Sequence, residues 1–369
     1  MDQNRLAQLA LHFIPRIGNQ TVKQLISYAG SAHNVFELPK GKLLKIPGIG
    51  TATVNSILNH RPFERAEQEL KKAETSGTQL LLYTDKAFPQ KLKHINNAPS
   101  LLYYSGNTDL NASKIVAIVG TRNATNYGRD FTERLVEDLV AHDALIVSGL
   151  AYGIDIQAHK TALKCGLATV GVMASGLDII YPALHKETAA KMTQQGGLLT
   201  EHSFGSKPDA PKFPARNRII AGMADAIVVV EAARKGGALI TAEIANSYSK
   251  DVFAVPGNLQ NSFSEGCNNL IKTNKAHLLT GIKDLEYIMN WEAGVAQAPE
   301  VIWDISTLDD EEKLVFLSIQ AHGKSIPIDN LSWKTQVPVS KLASILLNLE
   351  FKGFVNSLPG KSYKLANSG

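Results

Sequence analysis

Short apolar runs alternate with stretches of helical spacing through the middle of the chain. Six runs rich in Val, Ile, Leu and Ala predict strands at 115–119, 144–148, 168–173, 198–201, 226–231 and 252–255. Between most of them lie segments of about 10 to 15 residues with helical periodicity, as expected for crossover helices. This alternation predicts an α/β fold with a Rossmann-like parallel sheet over residues 114–290.

Two similar helical units fill residues 1–72. Each unit has a helix, an Ile-Gly pair (Ile17-Gly18 or Ile49-Gly50) and a second helix. This pattern is typical of the helix-hairpin-helix (SAM-like) element, in which backbone N–H groups hold a DNA phosphate without reading sequence. The alternative is a plain helical bundle whose glycines only make tight turns.

Residues 73–113 predict a connector that completes an extended Rossmann-like core over 73–290. Apolar runs at 80–83 and 101–104 predict two strands, and we expect the connector to pack on the sheet that follows. Residues 291–304, with Gly294 and Pro299, predict a linker.

Residues 305–369 predict three helices followed by a hairpin with a Pro-Gly turn, which is the pattern of a winged-helix domain. A DNA-reading helix needs cations, but the presumed recognition helix has little net charge. Its polar residues are Ser340, Lys341, Ser344, Asn348, Glu350 and Lys352. Contact with a protein is therefore favoured over contact with DNA.

Composition sets the broad class of the protein. The 369 residues carry a net charge of +4, and residues 1–72 hold an excess of five basic residues. This excess permits nucleic-acid binding without requiring it. The two cysteines fit no metal or disulfide spacing, and no apolar run approaches the roughly 20 residues that span a bilayer. We therefore expect a cytoplasmic protein without membrane segments.

The carboxyl end of the first strand carries the candidate chemistry, because ligands of such sheets bind beyond the strand ends. The dinucleotide-binding motif G-x-G-x-x-G needs three glycines, and only Gly120 is present here. The next strand ends in Ser148-Gly149, where a dinucleotide site would have an acid for the ribose hydroxyl. A nicotinamide dinucleotide site is therefore not predicted. The glycine turn and helix N-terminus at 115–129 predict an anion site, and Arg122 adds a planar cation. The alternative is an arginine that only caps its loop.

The loop at 206–218 combines four cations with Phe213 and one acid. Cations and an aromatic side chain at a strand end suit single-stranded nucleic acid, with a base stacked on the ring. The alternative for Phe213 is a hydrophobic staple at a helix entry. The predicted nucleic-acid site comprises Gly120, Thr121, Arg122, Ser148, Gly149, Gly153, Gly176, Lys212, Phe213, Arg216, Asn217, Arg218, Lys235, Gly236 and Gly237.

No catalytic, cofactor or metal constellation is predicted. Gly236-Gly237 and Glu243 are similar to part of the motif of nucleotide phosphoribohydrolases, but the leading proline and the third glycine are absent and the spacing differs. Asp155 and His159 lie on one helical face and predict a local hydrogen bond or cap, since two ligands do not make a zinc site.

Taken together, these motifs resemble the DNA-processing protein A family (DprA, also called Smf). The resemblance rests on residues 118–122, 148–159, 213–222, 235–242, 255–258 and 264–271. It implies a non-catalytic single-stranded DNA-binding protein that shields incoming DNA and loads the RecA recombinase during natural transformation. It also implies a homodimer joined through the Rossmann-like domain.

In the family, an arginine after the first glycine and a basic-aromatic loop contact DNA. These features correspond to Arg122 and to Lys212, Phe213, Arg216 and Arg218. Two other functions remain as alternatives. One is a nucleotide-processing enzyme of the phosphoribohydrolase type, and the other is a transcriptional regulator that uses the winged helix.

Overall fold

The computed structural model describes residues 3–292, 308–322, 325–358 and 360–365. The chain divides into two compact units, residues 1–296 and 297–369. The first unit holds the helical region and the large sheet. Most of the predicted linker, from 293 to 304, lies outside the described residues.

Six helices form the N-terminal region: α1 (Gln3–His12), α2 (Asn19–Ala29), α3 (Ala32–Glu37), α4 (Lys40–Leu43), α5 (Thr51–Asn59) and α6 (Phe63–Thr75). Their apolar faces share one core with Leu80, Leu82, Leu101 and Tyr103 of the adjoining strands. Because this core is common to helices and strands, the helical region packs directly on the sheet. Helix α6 continues past residue 72, where the sequence placed a domain boundary.

Nine strands form one sheet: β1 (Gln79–Leu82), β2 (Leu101–Gly106), β3 (Ile115–Val119), β4 (Leu145–Ser148), β5 (Thr169–Val172), β6 (Gly196–Thr200), β7 (Ala226–Val229), β8 (Asp251–Ala254) and β9 (His277–Leu278). The order is β1-β2-β6-β5-β4-β3-β7-β8-β9. Neighbouring strands from β3 to β9 run parallel. The six predicted strands and the Rossmann-like parallel core are confirmed.

The connector strands differ from their prediction. Strands β1 and β2 do not lie on a face of the sheet but extend its edge, where Tyr103 of β2 is the antiparallel partner of Thr200 in β6. Edge pairing satisfies the backbone groups of β6 that would otherwise be open. The connector is thus part of the sheet, which becomes mixed at this side.

Helices cover both faces of the sheet. They are α7 (Gln90–Lys93), α8 (Asn126–Asp138), α9 (Ile154–Lys164), α10 (Lys186–Gln194), α11 (Lys212–Met223), α12 (Gly237–Ser247), α13 (Glu265–Lys272) and α14 (Ile282–Met289), with 3-10 turns at Leu139–His142 and Ala183–His185. Along β3, Ile115, Ala117 and Val119 enter one core, whereas Val116 and Ile118 enter the other. Burial on both faces explains why this strand is apolar throughout.

The order of the sheet reverses beside β3. The chain leaves β6 on one side of β3 and returns as β7 on the other, where Val119 and Val229 are partners. At such a switch point the following loops run to opposite faces and leave a crevice at the carboxyl ends of the strands. The fold therefore places the loops after β3 and β7 around one opening.

The second unit has the predicted winged-helix pattern. It comprises α15 (Asp310–His322), β10 (Ile326–Pro327), α16 (Ile328–Thr335), α17 (Val339–Phe351), β11 (Val355–Leu358) and β12 (Ser362–Leu365), with the strands in the order β10-β12-β11. A separate apolar core joins its three helices to the hairpin. Within the described parts of both units, no helix has the length and apolarity needed to cross a bilayer.

Candidate nucleic-acid interface

A cleft of about 240 Å³ opens where β3 and β7 end. We call it the Arg122 cleft. Nine of the fifteen predicted site residues line it: Gly120, Thr121, Arg122, Phe213, Arg216, Asn217, Lys235, Gly236 and Gly237. Sites that enclose a small molecule usually measure about 300–1,000 Å³, so this cleft suits part of an extended ligand better than an enclosed cofactor.

An exposed cation and an aromatic ring meet at the mouth of the cleft. The guanidinium carbon of Arg122 lies 5.6 Å from the centre of the Phe213 ring, within the range of a cation–π contact. In residues 3–292 no carboxylate lies within ion-pair distance of Arg122, whose side chain is exposed. This positive charge therefore remains available to a ligand.

Two tyrosines extend the aromatic surface. The Tyr181 ring centre is 6.0 Å from that of Phe213, and Tyr152 borders the same depression next to the cleft. Tyr181 is 48% exposed and Tyr152 is 44% exposed, which leaves their rings accessible for stacking. Sequence reasoning missed both, because single tyrosines in glycine-containing loops carry no periodic signal.

Arg216 forms the floor of the cleft. Its residue exposure is only 6%. The guanidinium Nη1 donates to the Gly149 carbonyl at 2.6 Å and to the Val172 carbonyl, and Nε donates to Asn217 Oδ1 at 3.1 Å. Burial lowers the pKa of Arg216 to about 10, still far above neutral pH. Arg216 thus joins the ends of β4 and β5 to α11.

Asp155 is the acidic partner of this buried cation. Its carboxylate accepts hydrogen bonds from the backbone N–H groups of Gly149 (3.1 Å) and Ala151 (3.4 Å) in the loop before α9. The predicted pairing with His159 is wrong, because the His159 ring bonds Thr169 instead, and Asp155 does not cap the helix. Burial raises the pKa of Asp155, and the nearby Arg216 charge opposes this rise. Ser148, also buried, donates from Oγ to the Ile118 carbonyl at 2.6 Å and so holds two strand ends together.

Two glycines are required by close packing inside the site. A Cβ atom on Gly149 would lie 2.6 Å from the Arg216 guanidinium nitrogens. Gly153 has a φ of +76°, and a Cβ there would lie 2.1 Å from the Thr121 carbonyl oxygen. These two glycines therefore allow close packing beneath the loop that carries Arg122, and we assign them no direct contact with a ligand.

The two helix N-termini at the switch point differ in their partners. Sequence analysis predicted that the start of α8 binds a ligand anion. In the structure, the buried Glu231 carboxylate lies at the N-terminus of α8 instead. It accepts from Thr125 N–H at 2.9 Å and from Thr125 Oγ1 at 2.6 Å. Sequence analysis did not predict this role, because Glu231 lies two residues after β7 and was included in the predicted strand at 226–231.

Helix α12 begins at the cleft without a side-chain cap. Its preceding residue is Gly236, and a Cβ on Gly236 or Gly237 would meet nothing within 4 Å. The fold itself therefore does not require glycine at these positions. Bare backbone at an uncapped helix start is suited to the close approach of an anion, and the exposed Lys235 adds a charge.

Six predicted site residues do not line the cleft, namely Ser148, Gly149 and Gly153, described above, and Gly176, Lys212 and Arg218. Lys212 Nζ donates to Ser206 Oγ at 2.8 Å and to the Lys207 carbonyl at 2.6 Å, which closes its own loop. Gly176 donates its N–H to the Ser206 carbonyl at 2.8 Å. Arg218 forms an ion pair with Glu201, and both side chains are only 12% exposed.

The geometry defines a class of protein: a Rossmann-like core with an open, cationic and aromatic cleft at the switch point, joined to a winged helix. Among the residues that the structure describes, no group of His, Cys, Asp or Glu is arranged to hold a metal ion. The profile of the DNA recombination-mediator protein A family matches residues 79–290, and that of the DprA winged-helix domain matches residues 304–361. The chain belongs to the DNA recombination-mediator protein A (DprA/Smf) family.

Individual relatives cover much of the chain. Protein Smf of Synechocystis is 29% identical over 96% of this chain and 97% of its own length. The crystal structure of DNA processing protein A from Streptococcus pneumoniae is 32% identical and covers 78% of this chain and 96% of that one, with a TM-score of 0.63. DNA processing protein A from Helicobacter pylori, described for its single-stranded DNA binding mode, is 29% identical, covers 58% and 97%, and has a TM-score of 0.53.

We predict that Arg218→Ala destabilises the first unit by about 3 kcal/mol, because it leaves the buried Glu201 carboxylate without its cation. The double variant Arg218→Met/Glu201→Gln removes both charges and should recover most of this loss. Urea unfolding measures both. The control Arg234→Ala removes an exposed cation, 83% accessible, and should change the free energy of unfolding by less than about 0.5 kcal/mol. An equal effect of Arg218→Ala and Arg234→Ala contradicts the prediction.

We predict that His159 makes the first unit less stable in acid. The ring is fully buried, Nδ1 lies 2.7 Å from Thr169 Oγ1, and burial lowers the pKa of His159 to about 3. Since the unfolded chain has a histidine pKa near 6.5, it binds the proton more readily than the folded chain. Stability is therefore full above pH 6.5 and falls as the pH drops toward 3, by up to about 2 kcal/mol at pH 5.

Urea unfolding at pH 7 and pH 5 tests this pH dependence. His159→Gln should lose less stability between the two values than the wild type, because it has no ring to protonate. His33→Gln, at an exposed position, serves as the control and should keep the wild-type loss. An unchanged loss in His159→Gln would show that other groups cause the acid sensitivity.

Proposed function

We propose that the chain binds single-stranded DNA along the Arg122 cleft. In this role it shields incoming DNA and delivers it to the RecA recombinase during natural transformation. The observation that carries the proposal is the exposed Arg122 guanidinium, 5.6 Å from the Phe213 ring at the open mouth of the cleft. A cation beside an accessible aromatic ring matches the alternation of phosphate and base along a single strand.

The phosphates and the bases of a DNA single strand each have suitable partners in the cleft. Phosphates would contact Arg122, Lys235 and the uncapped backbone at the start of α12. Bases would stack on Phe213 and on the exposed Tyr181 beside it. Since every base has an aromatic face, such a surface binds without strong sequence preference. The description of the Helicobacter pylori relative as a single-stranded DNA binder supports this assignment.

The arrangement favours a binding protein over a nucleotide-processing enzyme. Glu243 is the acid of the partial phosphoribohydrolase motif, but it is exposed on α12 and forms an ion pair with Lys275 at 2.7 Å. It does not line the Arg122 cleft. The acid that does line the cleft, Asp155, holds backbone N–H groups and lies beside Arg216. We therefore propose a non-catalytic role without cofactor or metal.

The assembly and location follow from the same proposal. A mediator of recombination needs to hold DNA and to contact the recombinase at once, so RecA is the proposed protein partner. We further propose a homodimer joined through the Rossmann-like domain, acting in the cytoplasm and away from membranes.

Arg122→Ala should weaken binding of a fluorescently labelled poly-dT oligonucleotide about tenfold, because one charged contact is lost. It should also lower the slope of log affinity against log salt by about 0.7, since one phosphate fewer releases its counterion. Fluorescence anisotropy over a salt series measures both quantities. Arg134→Ala removes an exposed arginine from α8, away from the residues that line the cleft, and is the matched control.

Equal affinity and slope in Arg122→Ala and Arg134→Ala would remove the proposed site. Incubation of the wild type with nucleoside monophosphates tests the enzymatic alternative, since release of free base would favour it over a purely binding role.

The two predicted helix-hairpin-helix units have different surroundings, and we propose that the second adds a phosphate contact. In the first unit, Asn19 at the start of α2 accepts from Ser100 N–H (3.0 Å) and Ser100 Oγ (2.8 Å), so this helix start docks on the core. In the second, Gly50 and Thr51 at the start of α5 are exposed.

Three lysines lie just before the second hairpin. Lys40, Lys42 and Lys45 are exposed, and none has a carboxylate within ion-pair distance among the described residues. The basic excess of residues 1–72 is thus accessible next to this hairpin. Lysines beside open backbone N–H groups suit a nucleic-acid backbone, which is bound without reading its bases.

The double variant Lys42→Glu/Lys45→Glu should weaken binding to a long tailed duplex several-fold, while binding to a short poly-dT oligonucleotide changes little. Lys71→Glu/Lys72→Glu makes the same charge change at exposed positions of α6 and is the control. Electrophoretic mobility shifts with both DNAs measure the difference. If the two double variants weaken binding equally, net charge and not the hairpin is responsible.

A further inference from the structure

A second cluster of cations lies at the same edge of the sheet as the Arg122 cleft. Strand β1 is antiparallel to β2, and β2 is antiparallel to β6, so β1 runs in the same direction as β6 and the other parallel strands. Tyr83 directly follows the carboxyl end of β1. It therefore lies at the edge where the loops after β3 and β7 form the cleft.

Two lysines from separate helices lie over the Tyr83 ring. Lys23 Nζ of α2 is 4.4 Å from the ring centre and Lys93 Nζ of α7 is 5.5 Å from it, both within the range of a cation–π contact. Both lysines are partly buried, and Lys93 Nζ also donates to the Asp85 backbone carbonyl at 3.1 Å. One aromatic ring thus holds two ammonium groups close to each other. We call them the Lys23–Lys93 pair.

The position of Lys23 is set by the docking of α2 on the core. The Gln20 side chain donates to the Asn96 carbonyl at 3.1 Å, and Asn19 accepts from Ser100 as described above. Lys23 lies one helical turn beyond Asn19. Its ammonium group is therefore placed by two regions of the fold, the helical region and the connector.

The acids around the Lys23–Lys93 pair are engaged by other cations. Asp85 forms an ion pair with Arg5 at 3.1 Å, and Glu201 forms one with Arg218. Within the described range 3–292, no carboxylate lies within ion-pair distance of either lysine of the pair. The two positive charges are therefore not neutralised inside the protein.

The electrostatics of Lys23 show the effect of this arrangement. Burial lowers the pKa of Lys23, and the positive charge of Arg218 lowers it further. Cations that meet without an acid repel one another, and an anion bound among them removes this repulsion. The cluster thus has the charge of an anion site and no anion of its own.

One DNA single strand is long enough to reach both this cluster and the Arg122 cleft. Five strand spacings separate the ends of β1 and β3, which is roughly 24 Å at about 4.8 Å per spacing. At a rise of about 3.4 Å per nucleotide in a stacked strand, this distance corresponds to about seven nucleotides. Helix α11 links the two places, because Phe213 in its first turn lines the cleft and Arg218 lies near Lys23.

We propose that the Lys23–Lys93 pair binds a phosphate of the same DNA single strand that occupies the Arg122 cleft. This inference rests on the proposed single-stranded DNA binding and extends it to the boundary between the helical region and the sheet. Tyr83 is a positioning residue, since its ring holds the two ammonium groups. Because these groups cover the ring, the site contacts the DNA backbone and reads no base.

The test compares two lengths of labelled poly-dT by fluorescence anisotropy over a salt series. Lys23→Gln/Lys93→Gln should weaken binding of a twenty-nucleotide strand several-fold and lower its salt slope by about 0.7, because one phosphate contact is lost. Binding of a four-nucleotide strand, too short to extend from the cleft to the lysines, should not change. Lys160→Gln/Lys272→Gln removes two exposed lysines elsewhere in the first unit and is the matched control.

The outcomes separate this proposal from the proposed function. Equal affinity of the two double variants for the longer strand overturns the proposal. A weakening of equal size for both lengths also overturns it, because it would show a general loss of positive potential. Arg122→Ala should weaken binding of both lengths, so a failure of the cleft and a failure of the Lys23–Lys93 pair give different results. Circular dichroism checks that every variant folds.

Two variants of Tyr83 test the role of the ring. Tyr83→Phe keeps the aromatic face and should bind the twenty-nucleotide strand as the wild type does. Tyr83→Leu keeps both lysines but removes the face, and it should weaken this binding about threefold because the cation–π contacts no longer hold the ammonium groups. Unchanged affinity in Tyr83→Leu contradicts the positioning role of the ring.

Discussion

The site depends on one buried charge, the guanidinium of Arg216. A buried cation is tolerated only when acceptors and an opposite charge surround it. Arg216 meets this condition through the carbonyls of Gly149 and Val172 and through the neighbouring Asp155. These partners come from the ends of two strands and the start of a helix. The need to satisfy one side chain thus fixes the relative position of the loops that form the cleft floor.

Much of the fold follows from local sequence patterns, and the parts that do not are set by tertiary context. The apolar strands from β3 to β8 were predictable because burial on both faces removes polar residues from them. The edge position of β1 and β2 was not, because an apolar run does not reveal whether it pairs along an edge or packs on a face. Strand β9 has only two residues, His277 and Leu278, and no pattern of that length is detectable.

The candidate site was predictable by residue type but not by role. Nine of the fifteen named positions line one cleft, since glycines and cations after parallel strands gather at one edge. The sequence could not show which of these cations lacks an acidic partner in the folded chain, because the acids that pair with them are distant in sequence. Glu201 is close to Arg218 only in the folded chain, and the same holds for Asp155 and Arg216. Arg122, Arg216 and Arg218 cannot be distinguished by residue type, but in the folded chain Arg216 and Arg218 lie beside internal acids.

The distribution of acids therefore decides where the protein can meet an anion. Glu231 fills the N-terminus of α8, Asp155 balances Arg216, and Glu201 pairs with Arg218. Among the described residues around the cleft, Arg122, Lys235 and the start of α12 have no internal acidic partner, and they provide the positive potential available to a ligand. The net charge of +4 does not reveal this arrangement, because a net charge does not distinguish cations paired with acids from unpaired cations. Internal neutralisation therefore confines ligand contacts to the groups that face the opening.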